Sequence, residues 1–264
     1  MASAEVNDIC QDQLGYIWVA TNSGVSKFDG KRFKNYNYRD GLAENICISI
    51  MCDRTGQIWV GHAVGGISVI GKDSIWTINE SKGLANNEVQ DLFQDKNGNI
   101  WAATFGGIST FDGKKWTSKT VVDGLASNNT RTISQDSEGN IWVGTYGAGL
   151  NIIRGNEMDH LYMGNGLVNN YVTSIFIKKG RVLIGTLGGV SVWEGGRFSN
   201  TSATEGLSNN QINDLSVNRV GDVWLATYNG AHRIRNAKLL SISEENGMPS
   251  NEVLTVFNDA EGNT

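Results

Sequence analysis

Carboxylate side chains at regular intervals are the first candidates for chemistry, because they could act as general acids or bases or bind calcium. A calcium loop that starts at Asp95 would need Gly at position 6 and Glu at position 12, where the chain has Ile100 and Gly106. Turn aspartates usually accept hydrogen bonds from their own loop, so we interpret this series as structural and predict no metal site. Its members, each three residues before a glycine, are Asp12, Asp53, Asp95, Asp136 and Asp259.

The three histidines are the next candidates, since imidazole serves both acid–base chemistry and metal binding. His62 follows Trp59 in a segment expected to be a loop, His160 lies in an outer region and His232 in a strand. No two of them have the His-x-x-x-His spacing of a zinc site. Nucleophile elbows, P-loops and dinucleotide fingerprints are also absent from the sequence. We therefore predict no catalytic residue and no cofactor.

The cysteines and the charge balance argue against a disulfide-bonded protein and against a nucleic-acid-binding protein. Cys47 and Cys52 are five residues apart in one predicted strand, a span of about 16 Å that is too long for a disulfide. Together with Cys10 they are expected to be small buried hydrophobic residues, and an odd number of free thiols argues against a strongly oxidising compartment. The net charge is −5, with 22 Lys and Arg against 27 Asp and Glu. The arginines are scattered rather than clustered, which argues against nucleic acid as a partner.

No apolar run is long enough to span a bilayer, and the first residues, MASAEVND, do not resemble a signal peptide. We expect a soluble chain, with any export signal outside it.

An internal repeat of about 41 residues must position all of these groups. Gly-Leu recurs at Gly41, Gly83, Gly124, Gly166 and Gly206, with Gly247-Met248 as a sixth copy. A second marker keeps the same period and consists of Trp18, Trp59, Trp101, Trp142, Leu183 and Trp224.

Within one unit, four runs rich in Val, Ile, Thr and aromatic residues are bounded by Gly, Asn or Asp, a pattern typical of strands and hairpins. Four antiparallel strands in about 41 residues are the blade of a β-propeller. The fold class is therefore predicted to be all-β, a propeller with six recognisable blades, in which the tryptophans pack between blades.

The two ends of the chain repeat the same first strand. Residues 251–264, NEVLTVFNDAEGNT, repeat the stretch that leads into the Trp, and AEVNDICQDQLGYIW supplies that strand near the start. We expect one propeller domain over residues 1–264 that is a fragment of a longer array. Alternatively, one terminal strand is surplus or mediates self-association by exchange between molecules.

The unit DSEGNIWVGTYGAGL, preceded by GLASNN and echoed in DKNGNIWAATFGGISTFDGKKW, resembles the two-component regulator propeller repeat. In that family, such blades form the extracytoplasmic sensory region of hybrid histidine kinases, especially in Bacteroidetes. The fifth copy, IFIKKGRVLIGTLGGV, departs from the pattern because it lacks the turn Asp, one loop residue and the Trp. The resemblance implies a non-catalytic sensor in the periplasm or outside the cell, with glycan fragments as ligands.

Two other classes stay open. The Asp turns look like the Asp-box of sialidase propellers, and streptogramin lyase is also a propeller that uses His, Glu and a divalent metal. Sialidase chemistry needs an arginine cluster, which the spacing of the arginines does not indicate. A lyase- or glycosidase-type enzyme is thus one alternative, and a protein-interaction scaffold is the other.

Variation within the repeat predicts where a ligand would bind. The loops between the second and third strands, on the same face as the inter-blade segments, differ between copies that are otherwise uniform. Exposed aromatic rings there suit stacking on sugar faces, and an arginine beside them suits a carboxylate or sulfate. The predicted ligand-binding residues are His62, Phe105, Tyr146 and Tyr228 from the loops, and Gln90, Arg131 and Asn213 from the inter-blade segments. The expected partner is a small molecule or an oligosaccharide.

Overall fold

A computed structural model of the chain describes residues 1–236 and 238–264. The chain comprises two compact units, residues 1–133 and 134–264. The described residues form six antiparallel sheets of four strands each, the blades of a six-bladed β-propeller fold. The helices found in these residues are single 3₁₀ turns at Tyr38–Asp40, Glu80–Lys82, Val121–Asp123, Met163–Asn165, Ala203–Glu205 and Glu244–Asn246.

Blades 1 to 3 each add their strands in chain order. Blade 1 consists of β1 (Val6–Gln11), β2 (Ile17–Thr21), β3 (Gly24–Phe28) and β4 (Phe33–Tyr36). Blade 2 consists of β5 (Cys47–Cys52), β6 (Ile58–His62), β7 (Ile67–Ile70) and β8 (Ile75–Ile78). Blade 3 consists of β9 (Val89–Gln94), β10 (Ile100–Thr104), β11 (Gly107–Phe111) and β12 (Trp116–Lys119).

Blades 4 to 6 repeat this order. Blade 4 consists of β13 (Thr130–Gln135), β14 (Ile141–Thr145), β15 (Gly149–Arg154) and β16 (Glu157–Leu161). Blade 5 consists of β17 (Val172–Lys178), β18 (Arg181–Thr186), β19 (Gly189–Glu194) and β20 (Arg197–Thr201). Blade 6 consists of β21 (Ile212–Val217), β22 (Val223–Thr227), β23 (Gly230–Arg235) and β24 (Lys238–Ile242).

The Gly-Leu motif ends five of the six 3₁₀ turns and returns the chain to the core, and Gly247-Met248 ends the sixth. Gly41 has a φ of 111°, a left-handed conformation that glycine adopts without strain, and Leu42 after it is buried. The side chain of Asn45, three residues further on, accepts a hydrogen bond from the Tyr38 amide at 3.0 Å. The same bond recurs at Asn87, Asn128, Asn170, Asn210 and Asn251. The repeated Asn is therefore structural.

The Trp positions lie on the second strand of consecutive blades, which confirms the prediction. Trp18, Trp59 and Trp142 are only 4% exposed, and Leu183 fills the same place in blade 5. Trp59 packs with residues of blade 3, including Leu92 and Ile100, and Trp142 and Ile152 of blade 4 pack with residues of blade 5. Trp59 and Trp142 thus each join their own blade to the next.

The turn aspartates organise both their loop and the Trp beyond it. Oδ1 of Asp53 accepts the Thr55 and Gln57 amides at 2.8 and 2.9 Å, and Oδ2 accepts the Trp59 indole N–H at 2.9 Å. The indole bond recurs at Asp12, Asp95 and Asp136. The prediction of loop hydrogen bonds is confirmed, and the bond to the indole adds the reason why Asp and Trp keep a spacing of six residues.

The expectation of three free cysteines is wrong. Cys10 and Cys52 form a disulfide with their Cα atoms 6.1 Å apart, and Cys47 stays a free, buried thiol. Cys10 lies opposite Trp18 and Cys52 opposite Ile58, one register position further along. Successive residues of a strand point to opposite faces, so the two sulfurs face each other from consecutive blades. The distance argument considered only Cys47 and Cys52 within one strand and missed this pair.

The first strand expected within residues 251–264 forms no sheet pairing in the described part of the chain. These residues lie along β21 instead. Asn213 donates to the Val253 carbonyl at 2.7 Å, and Asp214 accepts the Val256 amide at 3.0 Å. In blade 1, Asn7 and Asp8 hold Cys47 and Ile50 of β5 in the same way. The segment thus has the place of a following first strand, without a second strand beside it.

Candidate functional site

In five of the six blades, the loop between the second and third strands begins directly after a Thr that ends the second strand. The Thr145 hydroxyl donates to the Gly149 carbonyl at 2.8 Å, and corresponding bonds are made by Thr21, Thr104, Thr186 and Thr227. The buried Thr fixes the end of the strand, so the next residue emerges at the surface. Phe105, Tyr146 and Tyr228 all take this place and are 42% to 47% exposed.

His62 does not take part in this surface. It is the last residue of β6 rather than a loop residue, it is completely buried, and its Nε2 lies 2.8 Å from the Ser68 hydroxyl. Burial lowers the pKa of its imidazole to about 4, so the ring is neutral at neutral pH. The other five copies have Thr at this position, and that comparison could have identified the site as structural. His62 therefore presents no accessible ring to a ligand.

His232 is also a structural residue. It is buried in β23, and its two ring nitrogens lie 2.8 Å from the Ser208 hydroxyl and 3.0 Å from the Ser241 hydroxyl. Burial lowers the pKa of this imidazole as well. Four of the other five copies have Ser in its place and blade 4 has Asn151. Ser68 accepts the Ala43 amide as His232 accepts the Ser208 amide. No group of three or more His, Cys, Asp or Glu side chains able to hold a metal occurs in the residues that the structure describes.

In unit 1, two of the predicted residues contact each other. The Arg131 guanidinium donates to Oε1 of Gln90, which joins the start of β13 to the start of β9. Both side chains are partly buried. Phe105, in the loop after β10, is the exposed aromatic residue of this unit at the predicted positions, and its amide donates to the Glu88 carbonyl at 3.2 Å.

In unit 2, Tyr146 is paired with a residue that the sequence analysis missed. Its ring and that of Tyr171 meet edge to face with centroids 4.8 Å apart, and both residues are 43% exposed. A backbone bridge also joins them, so the pair links the loop of blade 4 to the segment that enters blade 5. Tyr171 directly follows the repeated Asn170, where other copies have Ile, Glu, Asn or Gln. This variation at the position after the repeated Asn could have identified Tyr171 from the sequence.

Asn213 was predicted as a ligand contact, and the structure gives its side chain another partner. Its amide donates to the Val253 carbonyl, the contact that fixes the C-terminal segment. Tyr228, in the same unit, is exposed in the loop after β22.

Comparison with known protein families supports the resemblance drawn from the repeat motif. Three segments, residues 1–23, 83–106 and 124–147, match the family model described as Two component regulator propeller. Three segments of the chain thus match the two-component regulator propeller repeat. The matched segments contain the first, third and fourth copies of the Trp, at Trp18, Trp101 and Trp142. The resemblance drawn from the sequence is confirmed.

Solved structures with the same fold include the extracellular domains of two bacterial proteins. The extracellular domain of BT3049, assigned to a hybrid two component system of B. thetaiotaomicron, is 25% identical with a TM-score of 0.88, over 99% of this chain and 37% of that chain. The extracellular domain of BT4673 from the same organism is 21% identical with a TM-score of 0.79, over 98% of this chain and 36% of that chain. This chain thus spans little more than a third of the length of either.

An enzyme also shares this fold. Virginiamycin B lyase from Staphylococcus aureus, in a structure with quinupristin, is 13% identical with a TM-score of 0.73, over 93% of this chain and 86% of that chain. At this identity the likeness shows the fold alone. Among curated proteins no significant match is found. No helix in the described residues has the length and apolarity needed to cross a membrane.

Proposed function

We propose that the chain is the ligand-sensing propeller of an extracytoplasmic two-component receptor, and that its ligand is a glycan fragment. The observation that carries the sensing role is the similarity to the extracellular domain of a hybrid two component system over nearly the whole of this chain. The Cys10–Cys52 disulfide supports a location outside the cytoplasm, because such bonds persist in oxidising compartments.

The ligand contact proposed for unit 2 is the Tyr146–Tyr171 pair. Two rings that are nearly half exposed and held by a backbone bridge form a rigid aromatic surface. Tyrosine offers an apolar face together with a hydroxyl at its edge, a combination that suits the alternating faces of a sugar ring. Tyr228 offers a further exposed ring in the same unit.

In unit 1, Phe105 and Arg131 are proposed as separate contacts. The guanidinium of Arg131 donates to the Gln90 amide oxygen. A planar guanidinium can also donate to a carboxylate or sulfate in place of a neutral oxygen. An acidic glycan would use this residue, whereas a neutral glycan would depend on the aromatic rings alone.

Calorimetry of the full chain against a panel of neutral and acidic oligosaccharides tests the proposal. At least one should bind, and Tyr146→Ala or Tyr171→Ala should weaken it by about tenfold. Arg131→Ala should weaken only acidic members. Trp76→Ala, which removes an exposed ring on the outer strand β8, is the matched control and should have no effect. Loss of binding only in the control, or no binder in the panel, would contradict the glycan assignment.

The lyase alternative gains no support from the histidines. His62 and His232 are both buried and hydrogen-bonded to serines, so neither is placed to reach a substrate. The enzyme hypothesis therefore gains no catalytic candidate from His62 or His232.

A further inference from the structure

A second pair of stacked rings lies in unit 2, at the end of the outer strand of blade 4. The His160 and Tyr162 rings stack with their centroids 5.1 Å apart and their planes 27° apart. His160 is exposed, and Tyr162 is 43% exposed. The other copies have small polar residues at both places. They are Asn35, Thr77, Ser118, Asn200 and Ser241 in place of His160, and Asn37, Asn79, Thr120, Ser202 and Ser243 in place of Tyr162.

Tyr162 occupies a position that normally serves the local fold. It is the N-cap of a 3₁₀ turn, a place that favours Asn, Ser or Thr. The Asn37 and Thr120 side chains accept an amide hydrogen bond from the turn there, whereas the Tyr162 side chain makes no cap bond. Residues that break a local rule of the fold are expected at functional sites.

Gly164 makes room for the Tyr162 ring. A Cβ atom at residue 164 would lie 2.4 Å from Cε2 of Tyr162, so a larger residue would displace the ring. The backbone itself does not require glycine, because Gly164 lacks the positive φ of Gly166. The ring and the glycine beneath it thus form one feature of blade 4. The residues at this place in the other copies are Arg39, Ser81, Val122, Thr204 and Glu245.

The loop after β14 lies between the two aromatic pairs. It starts with Tyr146 and is one residue longer than in blades 1, 3, 5 and 6. The added residue is Ala148, whose carbonyl accepts a hydrogen bond from Nε2 of His160. A single loop therefore carries one ring of the first pair and holds one ring of the second.

Asn170 fixes the same loop from the segment that enters blade 5. Its carbonyl accepts two amides of the loop at 3.1 and 2.9 Å, and its side chain accepts the Met163 amide at 2.8 Å. Met163 directly follows Tyr162, and Tyr171 directly follows Asn170. The four rings are thus held in one hydrogen-bonded framework, so a ligand meets them without the cost of ordering them first.

From this arrangement we infer that the His160–Tyr162 pair is a second stacking subsite, and that the ligand is an oligosaccharide long enough to cover both pairs. Three loop residues span up to about 10 Å, which a short linear oligosaccharide can bridge. The exposed rings of both pairs offer the apolar faces on which sugars stack. The inference rests on the proposed sensing of a glycan and adds a requirement for the length of that glycan.

The dependence of affinity on glycan length tests the inference on the full chain. Calorimetry with cello-oligosaccharides, manno-oligosaccharides and oligogalacturonates, each from dimer to hexamer, should show an affinity that rises by about tenfold with length in a series that binds. Tyr162→Asn restores the residue of blades 1 and 2 and should weaken hexamer binding by about threefold to tenfold, with the dimer unchanged. Its melting temperature should stay the same or rise, which separates lost contact from lost folding.

Two further variants locate the subsite. Gly164→Ala keeps the Tyr162 ring but displaces it, and should weaken hexamer binding as Tyr162→Asn does. Ser243→Asn places the same residue at the equivalent N-cap of blade 6 and should have no effect. Hexamer binding that Tyr146→Ala weakens but Tyr162→Asn leaves unchanged would overturn the second subsite and leave the proposed glycan sensing intact. Equal affinity for dimer and hexamer would do the same, whereas no binding in any series would refute both.

Discussion

The cleft between blades 2 and 3 and the cleft between blades 4 and 5 are built from the same repeat but differ at their turn ends. Arg54 crosses the first and bonds to blade 3, whereas Ser137 stands at the edge of a cavity in the second. The Trp59 ring also has aromatic neighbours, with the Phe111 and Trp116 rings centred 6.5 and 6.4 Å away. The two clefts thus differ both in the side chain at the turn end and in the aromatic packing around the tryptophan.

The largest expected effect comes from removing the two tryptophans. Trp59→Ala should cost about 5 kcal/mol and Trp142→Ala about 3 kcal/mol, the upper and lower ends of the range for such truncations. A side chain that already borders a cavity has fewer contacts to lose. Urea unfolding of the two variants measures both values. An equal or larger loss for Trp142→Ala would mean that the second cleft is packed as well as the first.

The disulfide sharpens the comparison because, within the described residues, it ties blade 1 to blade 2 and has no counterpart in unit 2. It closes a loop with a sequence separation of 42 residues, so reduction should cost about 2–4 kcal/mol. Hydrogen exchange should show the loss in the strands of blades 1 and 2. A Cys10→Ser, Cys52→Ser double variant should be insensitive to reductant. Three titratable thiols in protein purified without reductant would contradict the pairing.

The sequence predicts the repeating parts of this structure well because each copy supports the others. The blade count and the Trp positions both follow from spacing alone. The exceptions depend on contacts between copies. Cys10 and Cys52 meet only because they point to opposite faces of consecutive blades, and the cavity needs Ser137 in one blade together with the short turn in the next. The order of the strands within one repeat predicts neither the disulfide nor the cavity.

The sequence predicts only part of the candidate site, again because some of its residues depend on contacts between copies. Phe105, Tyr146 and Tyr228 are exposed because they follow the buried Thr that ends the second strand. His62 was placed with them because it comes just after a Trp-centred run, yet it occupies the position of the Thr itself. Alignment of the six copies position by position separates the two cases, whereas residue type alone does not. Tyr171 belongs to an inter-blade segment and required the geometry of both blades.

The smallest expected effect concerns the opposite end of the same blades, where blade 2 has His62 and blade 4 has Thr145. Burial lowers the pKa of His62 from 6.5 to about 4 in the folded chain, while the unfolded chain keeps the ordinary value. Between these two pH values the unfolded state binds a proton that the folded state does not. Stability should therefore fall as the pH falls through this window, by about 2–3 kcal/mol when pH 4 is reached.

His62→Thr restores the residue of the other copies and should remove this dependence, since a threonine hydroxyl can donate to the Gly66 carbonyl as Thr21 donates to Gly24. The variant should lose some stability at pH 7 because the smaller side chain leaves space, so the decisive quantity is the change between pH 7 and about pH 4. Urea unfolding across this range measures it, and carboxylates that titrate in both proteins cancel in the difference. His232→Ser, which also restores the residue of other copies, removes the second buried imidazole and should flatten the profile further. Identical pH profiles for the wild type and His62→Thr would mean that the imidazole is protonated without cost, and that the two blade ends do not differ in this respect.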